Sequence, residues 1–179
     1  MTDEATFRWE TIHYVNLDAY LVALLPFKKP AWIKGITIHH SYIPTRAQWR
    51  GRATMQGTRQ YYINKGWPAG PHLFLAQLSP DPSHDGIWAG TPLAYRGTHA
   101  GHCNEDHIGI EVVGNYDVEP WPLPVSSLVY GVVLALMKWG HIPPERVQGH
   151  RECLSNKSCP GAKIDMNQVR AELARRLKG

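Results

Sequence analysis

The chain has 179 residues, enough for one domain with a substantial core. Its hydrophobic content of 43% and charged content of 19% are ordinary for a soluble globular protein. The acidic N-terminal segment lacks the apolar stretch of a secretory signal, and the apolar runs are too short to span a bilayer. We therefore expect one domain over residues 1–179, made in the cytoplasm of the producing cell and without membrane insertion.

The chain is basic, with a net charge of +4 and a pI near 9.0. This charge favours an anionic partner such as nucleic acid, a membrane or a cell-wall polymer. The one basic cluster, Arg175, Arg176 and Lys178, suits the last turn of a helix, where cations complement the helix dipole. No recognised nucleic-acid-binding motif accompanies the charge, so we do not expect a nucleic-acid partner.

In the first half of the chain, capping residues and apolar periodicity predict two helices and a strand. Asn16 is a candidate N-cap for a helix to Leu25, within an N-terminal extension (residues 1–31) that we expect to pack on the domain. Residues 33–39 alternate as a strand does. The capping-box pattern over 45–48 predicts the start of a helix that runs toward residue 65.

In the second half, two apolar segments at 72–77 and 107–113 predict buried strands. Apolar residues from Val125 to Trp139 recur at helical spacing, and a last helix is expected to begin at Asp165. Strands interleaved with helices indicate an α/β domain in which helices cover a central sheet.

Strand alternation separates the first pair of histidines. Ile36, Ile38 and His40 share one face of the predicted strand, and His39 lies on the other. The isoleucine face is the expected core side. His39 therefore points toward a possible site, and His40 packs or forms a hydrogen bond behind it.

Glu111 is a carboxylate inside the otherwise apolar strand at 107–113. Alternation places it on the face opposite Ile108 and Ile110. Burying a carboxylate is costly unless it serves a purpose. The sequence leaves two interpretations open: a catalytic carboxylate, or a structural salt bridge to a buried arginine.

Histidine and cysteine residues could form a metal site between distant segments. Two histidines, His39 and His150, with one cysteine thiolate would leave the fourth position of a tetrahedral zinc ion open for water, as in catalytic sites. Spacing alone does not choose between Cys153 and Cys159 for the third ligand. Three cysteines without an apparent export signal are predicted to be thiols or ligands rather than a disulfide framework. A second cluster of His99, His102, His107 and Cys103 is a weaker candidate.

From about Trp32 to Leu177 the chain resembles the zinc-dependent N-acetylmuramoyl-L-alanine amidases, a family with phage endolysins, anhydro-muropeptide amidases and peptidoglycan recognition proteins. Each motif is weak alone, but they occur in the order found in the family. They are Ile-Thr-Ile-His39-His-Ser, Thr98-His-Ala-Gly, His107-Ile-Gly-Ile-Glu111-Val-Val-Gly, Gln148-Gly-His150 and Lys157-Ser-Cys159-Pro-Gly. The resemblance implies an α/β fold with a central mixed β-sheet flanked by helices.

The resemblance also implies the roles of individual residues. It assigns the zinc ligands to His39, His150 and Cys159, the latter because it precedes Pro-Gly. It makes Glu111 the base and Lys157 a second catalytic residue. Some phage members carry a catalytic tyrosine just before the histidine of the second strand. Here that position is Pro71, which argues against a tyrosine-assisted mechanism and favours Glu111 as the main catalytic residue.

Three further residues, His72, His99 and Asn104, are predicted to contact substrate. Of the seven tryptophans, those beside glycine or proline in predicted loops are the better candidates for cleft walls: Trp67, Trp88 and Trp121. Most of the others are expected in the core.

The function implied is zinc-dependent hydrolysis of the amide bond between N-acetylmuramic acid and L-alanine in peptidoglycan. We expect a monomeric phage or prophage endolysin that reaches the cell wall after release. A cytoplasmic muropeptide-recycling amidase and a non-catalytic peptidoglycan-binding module are the alternatives. Loss of a zinc ligand would mark the module, and this chain has all three.

Overall fold

The computed structural model describes residues 6–179, in which strands and helices alternate along the chain. The strands are β1 (Ile12–Tyr14), β2 (Gly35–His40), β3 (Leu73–Ala76), β4 (Gly86–Ala89), β5 (His107–Val112) and β6 (Val147–Gly149). The helices are α1 (Leu17–Leu24), α2 (Arg52–Asn64), α3 (Leu123–Gly140), α4 (His150–Cys153) and α5 (Met166–Lys178).

The six strands form one mixed sheet in the order β1-β4-β3-β5-β2-β6. β3, β5, β2 and β6 run parallel, and β1 and β4 complete the sheet with antiparallel pairs. The predicted α/β class with a central mixed sheet is therefore confirmed. Because parallel strands share a direction, the carboxyl ends of β2, β5 and β6 meet at one edge, where α/β proteins commonly bind ligands.

The main core lies on the isoleucine face of the sheet. Ile36, Ile38, Ile108 and Ile110 are fully buried there against α3 and α5. By length and composition α3 could cross a membrane. Most of its valine and leucine residues, however, pack into this core, so it is a core helix of the domain.

A smaller core covers part of the opposite face. Trp49, Met55 of α2, Phe74 of β3 and Trp88 of β4 are buried in it. Phe7 also packs into this cluster, while β1 pairs with β4 at the sheet edge. The residues of the N-terminal extension that the structure describes thus contribute to both the sheet and the core.

Most predicted elements lie where expected, but the helix predicted from residue 45 does not begin there. Thr45 and Gln48 do form the capping box, yet it closes a single 3₁₀ turn. α2 begins afterwards, because Gly51 adopts a positive φ of 54° that interrupts any continuous helix. The short strands β1, β4 and β6 were not predicted, since each offers too few residues for a periodicity.

The prediction that all three cysteines are thiols or ligands is wrong for two of them. Cys103 and Cys153 form a disulfide with a Cα–Cα distance of 6.0 Å, whereas Cys159 is free. The disulfide joins α4 to the 3₁₀ turn at Gly101–Glu105. The sequence does not indicate that these two cysteines, 50 residues apart, lie close together. Their segments meet only after β5 and β6 have paired with β2.

Two glycines around α2 should respond oppositely to replacement by alanine. Gly57 is exposed inside the helix, and an added methyl group would have no neighbouring atom within 4 Å, so Gly57→Ala should stabilise the protein by about 1 kcal/mol. A methyl group on Gly51 would meet the His84 ring at 2.7 Å and would sit on a backbone with positive φ. Gly51→Ala should therefore lower the free energy of unfolding in urea denaturation, and an equal response of the two variants would contradict the interpretation of this helix start.

Candidate active site

Strand register brings the predicted ligands together. In the parallel pair β2–β5, His39 lies directly opposite Glu111. On the other side of β2, Ile38 pairs with Gly149, the last residue of β6, so the next residue, His150, begins α4 beside His39. Two histidines and a carboxylate from three segments thus meet at the carboxyl edge of the sheet.

The donor atoms of His39, His150 and Cys159 lie within 4.8 Å of one another. His39 Nδ1 is 3.1 Å from His150 Nδ1 and 3.7 Å from Cys159 Sγ. Ligands of a tetrahedral zinc ion would be separated by about 3.3 Å for two nitrogens and about 3.6 Å for nitrogen and sulfur, given ordinary zinc–ligand bond lengths. The set fits zinc in chemistry and in spacing. Cys153 is not part of it, because its sulfur is in the disulfide.

His99 forms a hydrogen-bond relay behind His39. His99 Nε2 lies 3.2 Å from the carbonyl oxygen of His107, which can only accept, so Nε2 donates. The neutral ring then accepts at Nδ1 from His39 Nε2, at 3.1 Å. His39 is left with a lone pair on Nδ1, the nitrogen that faces His150 and Cys159. His99 thus fixes the His39 tautomer, and it also lines the cleft, so its predicted contact with substrate stays a prediction.

Burial sets the charge of these groups in the metal-free protein. It lowers the pKa of His39 well below the usual value, with the neighbouring His99 and His150 adding to the effect. Burial, followed by the charges of Lys157 and His40, lowers the pKa of His150 to about 4. Both imidazoles are consequently neutral near pH 7, the form that binds a metal ion. Burial, with a further contribution from Glu111, raises the pKa of the Cys159 thiol, which keeps its proton.

Glu111 faces the same site without a structural partner. Its side chain is 13% exposed, and Oε1 lies 3.9 Å from His39 Nδ1. The other oxygen, Oε2, is buried and has no hydrogen-bond partner among the residues that the structure describes. No arginine among residues 6–179 lies within ion-pair distance of it, so the salt-bridge interpretation finds no partner there. Burial raises the pKa of Glu111 to about 8, as for a carboxyl group kept for proton transfer.

Arg151 holds the segment that carries Cys159. Its guanidinium group donates to the carbonyl oxygens of Ser158, Gly161 and Ile164, and its backbone N–H donates to that of Cys159. Since Arg151 follows His150 directly, it ties the second ligand to the third.

Asp117 braces the same segment from its other side. Its carboxylate accepts hydrogen bonds from the Ser158 hydroxyl and the Ala162 N–H. Lys157, just before this braced stretch, is exposed and lines the cleft around the ligands.

The other two predicted substrate contacts lie elsewhere. His72 is fully buried, stacks on Trp32, accepts a hydrogen bond from the Gly109 N–H and donates to the Tyr95 carbonyl oxygen. Asn104 accepts from the backbone N–H groups of His99 and Ala100. His72 therefore supports β5, and Asn104 shapes the turn that carries His99.

The ligands open into a cleft of about 420 Å³, and a neighbouring cleft of about 590 Å³ shares the lining residues His40, Tyr62 and Glu111 with it. His40 accepts a hydrogen bond from the Tyr116 N–H, as predicted, and also lines the cleft. Tyr62 of α2, stacked on Trp67, forms one wall. Sequence analysis missed Tyr62, because a tyrosine on an amphipathic helix looks like any core residue.

Of the tryptophans predicted to line a cleft, Trp67 does so. Trp88 is instead buried in the smaller core, and Trp121 packs against Tyr116 and Tyr130. A position beside glycine or proline was therefore a poor guide to exposure.

Comparison with known proteins gives a consistent result. Residues 28–162 match the family described as N-acetylmuramoyl-L-alanine amidase. Peptidoglycan-recognition protein SC1a of Drosophila melanogaster is 30% identical over 138 residues, which cover 74% of this chain and 70% of that protein.

Solved structures show the same fold. An N-acetylmuramoyl-L-alanine amidase from Clostridium intestinale superposes with a TM-score of 0.64 at 19% identity, covering 94% of this chain and 93% of that one. The Drosophila recognition protein PGRP-LB, solved with tracheal cytotoxin, gives 0.58 at 22% identity, covering 88% and 83%.

The role of His99 can be tested by replacing it with a ring that cannot form hydrogen bonds. His99→Phe should weaken zinc binding by about 10-fold to 100-fold, because His39 loses the acceptor that fixes its tautomer. Competition with a chromogenic chelator measures the affinity. His13→Phe is the matched control, since His13 Nε2 also lies at hydrogen-bond distance from a backbone carbonyl oxygen, that of Asp85, but His13 is on β1. Equal zinc affinity in the two variants would contradict the relay.

Proposed function

Because this chain belongs to the N-acetylmuramoyl-L-alanine amidase family, we propose that it is a zinc-dependent enzyme that cleaves the bond between N-acetylmuramic acid and L-alanine in peptidoglycan. The observation that carries the proposal is the convergence of His39, His150 and Cys159 beside Glu111, whose Oε2 has no hydrogen-bond partner among residues 6–179. Three ligands leave one position of a zinc ion for water or substrate.

Each residue has a distinct part in the proposed reaction. A bound zinc ion supplies an electrophile for the amide carbonyl and lowers the pKa of water at the site. Glu111 takes the proton of the attacking water and passes it to the leaving amine of L-alanine. Lys157, at the mouth of the cleft, stabilises the negative charge that develops on the amide oxygen. Tyr62 and Trp67 form an aromatic wall along which the substrate can lie.

Glu111 must be a carboxylate to act as a base, yet in the metal-free protein its pKa of about 8 keeps it protonated near neutral pH. If His39, His150 and Cys159 held a dication, its charge would favour the carboxylate form of Glu111, and the carboxyl proton would pass to solvent. Metal binding and activation of the base are therefore coupled.

The biological setting is also a proposal. We place the protein among phage or prophage endolysins that are made in the cytoplasm and reach the cell wall after release, acting as monomers. The two neighbouring clefts favour a substrate that extends beyond the sugar and the amino acid on either side of the cleaved bond. A recycling amidase would use soluble anhydro-muropeptides instead, and a recognition module would bind without cleavage.

Product analysis separates these possibilities. We expect digestion of purified sacculi to release stem peptides that begin with free L-alanine and to leave the glycan strands uncut. Mass spectrometry and amine labelling detect these products, and a parallel digest of soluble anhydro-muropeptides identifies the preferred substrate. New reducing sugar ends without new alanine amines would contradict the proposed bond. Binding without any product would favour the recognition module.

Replacing Glu111 tests the catalytic step. Glu111→Gln keeps the shape but removes the proton acceptor, so kcat should fall by about 100-fold or more while one zinc ion per chain remains bound. Lys157→Met should cause a similar loss. Near-normal turnover of the Glu111 variant would exclude its role as base. Loss of zinc together with a collapsed Tm would show that its role is structural.

Proton release tests the coupling between metal and base. At pH 7 the metal-free protein carries a proton on the Cys159 thiol and, in most molecules, on the Glu111 carboxyl group. The imidazoles of His39 and His150 are neutral. Zinc binding should therefore release about two protons, and its affinity should rise with pH. Glu111→Gln should reduce the release to about one, because only the thiol proton is then displaced. Calorimetry in buffers of different ionisation enthalpy measures these numbers, and an unchanged release in the variant would contradict the coupling.

A further inference from the structure

A second set of metal-ligating side chains lies beneath the candidate active site. Cys103, His107 and Cys153 offer donor atoms within 4.8 Å of one another. All three are buried, with exposed fractions of 3%, 1% and 6%. They come from three segments: the 3₁₀ turn at Gly101–Glu105, the start of β5 and the end of α4. The proposed reaction uses none of them.

Gln148 adds a fourth donor to this set. Its Oε1 lies 3.6 Å from Cys103 Sγ and 3.7 Å from Cys153 Sγ. In the disulfide neither sulfur carries a hydrogen, so Gln148 Oε1 accepts no hydrogen bond from Cys103 or Cys153. Around a tetrahedral metal ion, oxygen and sulfur ligands would be about 3.6 Å apart. The oxygen is therefore placed as a ligand would be.

The two ring nitrogens of His107 face different polar groups. Asp106 Oδ1 lies 3.6 Å from its Nε2, too far for a hydrogen bond, and Arg146 holds the other carboxylate oxygen of Asp106 at 2.6 Å. The negative charge beside Nε2 favours the tautomer with its proton there, which leaves a lone pair on the other nitrogen. That other nitrogen, Nδ1, lies 2.8 Å from the Thr37 hydroxyl oxygen, which is itself 3.6 Å from Cys153 Sγ.

We propose that reduction of the Cys103–Cys153 disulfide creates a structural site for a thiolate-preferring dication such as Zn²⁺, bound by Cys103, Cys153, His107 and Gln148. A phosphine reductant cleaves the S–S bond, takes an oxygen atom from water as phosphine oxide, and leaves two thiols. The dication then displaces both thiol protons and undergoes no redox change itself. Three buried ligands and the half-buried Gln148 would make a closed site, unlike the open site at His39.

Either cross-link holds the same two segments. One carries Asn104, which shapes the His99 turn, and the other begins with His150. In an oxidising medium the disulfide joins them, and in a reducing medium the metal ion does so. The proposal concerns these side chains alone and stands or falls independently of the amidase activity.

Metal stoichiometry tests the proposal. The full chain, freed of metal, is titrated with Zn²⁺ after oxidation or with a phosphine reductant present. We expect one more equivalent of zinc per chain in the reduced protein than in the oxidised protein. With Co²⁺ the thiolate charge-transfer absorption should grow about threefold, since three thiolates rather than one then bind metal. Equal stoichiometry and equal absorption in the two states would overturn the proposal.

Matched variants identify the ligands. Cys103→Ser and His107→Gln, each reduced, should lose the additional equivalent and keep the one at Cys159. Cys159→Ser should keep the additional equivalent, which distinguishes the two sites. Circular dichroism verifies that each variant is folded. If Cys103→Ser does not fold, the His107→Gln variant decides the question. A folded His107→Gln protein that retains both equivalents would refute the proposed ligand set.

Discussion

The parallel pairing of β2 with β5 on one side and β6 on the other determines where His39, Glu111 and His150 lie. Register places His39 opposite Glu111 and places Gly149 opposite Ile38, so that His150 follows beside His39. A shift of one residue in either pair would turn a ligand or the base toward the isoleucine core. Since that core is fully buried, the hydrophobic effect that fixes the register also fixes the site.

The polar groups of the site are buried before any metal ion binds. Within residues 6–179, Glu111 Oε2 and His150 Nε2 have no hydrogen-bond partner. Burial moves the pKa values of Glu111 and Cys159 upward and those of His39 and His150 downward. Each shift favours the neutral form, which leaves the metal-free site nearly uncharged. A dication reverses this preference for the thiol and the carboxyl group. A metal ion bound at this site would thus offset the cost of burying these polar groups.

Hydrogen bonds behind the ligands give the site its shape. His99 fixes the tautomer of His39. Arg151, the residue after His150, holds the segment around Cys159 through hydrogen bonds to its carbonyl oxygens. Gly109 is required for the first arrangement, since a methyl group there would lie 2.6 Å from the His99 ring. The glycine of the Ile-Gly-Ile-Glu motif therefore makes room for a histidine from another part of the chain.

The sequence by itself determined the α/β class, the face on which His39 and Glu111 lie, and most of the longer helices and strands. These features follow from local periodicity and capping, which a single segment encodes. The resemblance to the amidases, rather than spacing, favoured Cys159 over Cys153. Only the tertiary structure decided that Cys103 and Cys153 form a disulfide, that His99 acts through His39, and that Tyr62 lines the cleft. Each of these depends on contacts between segments far apart in the chain, and no local pattern records which distant backbone a side chain will meet once the strands have paired.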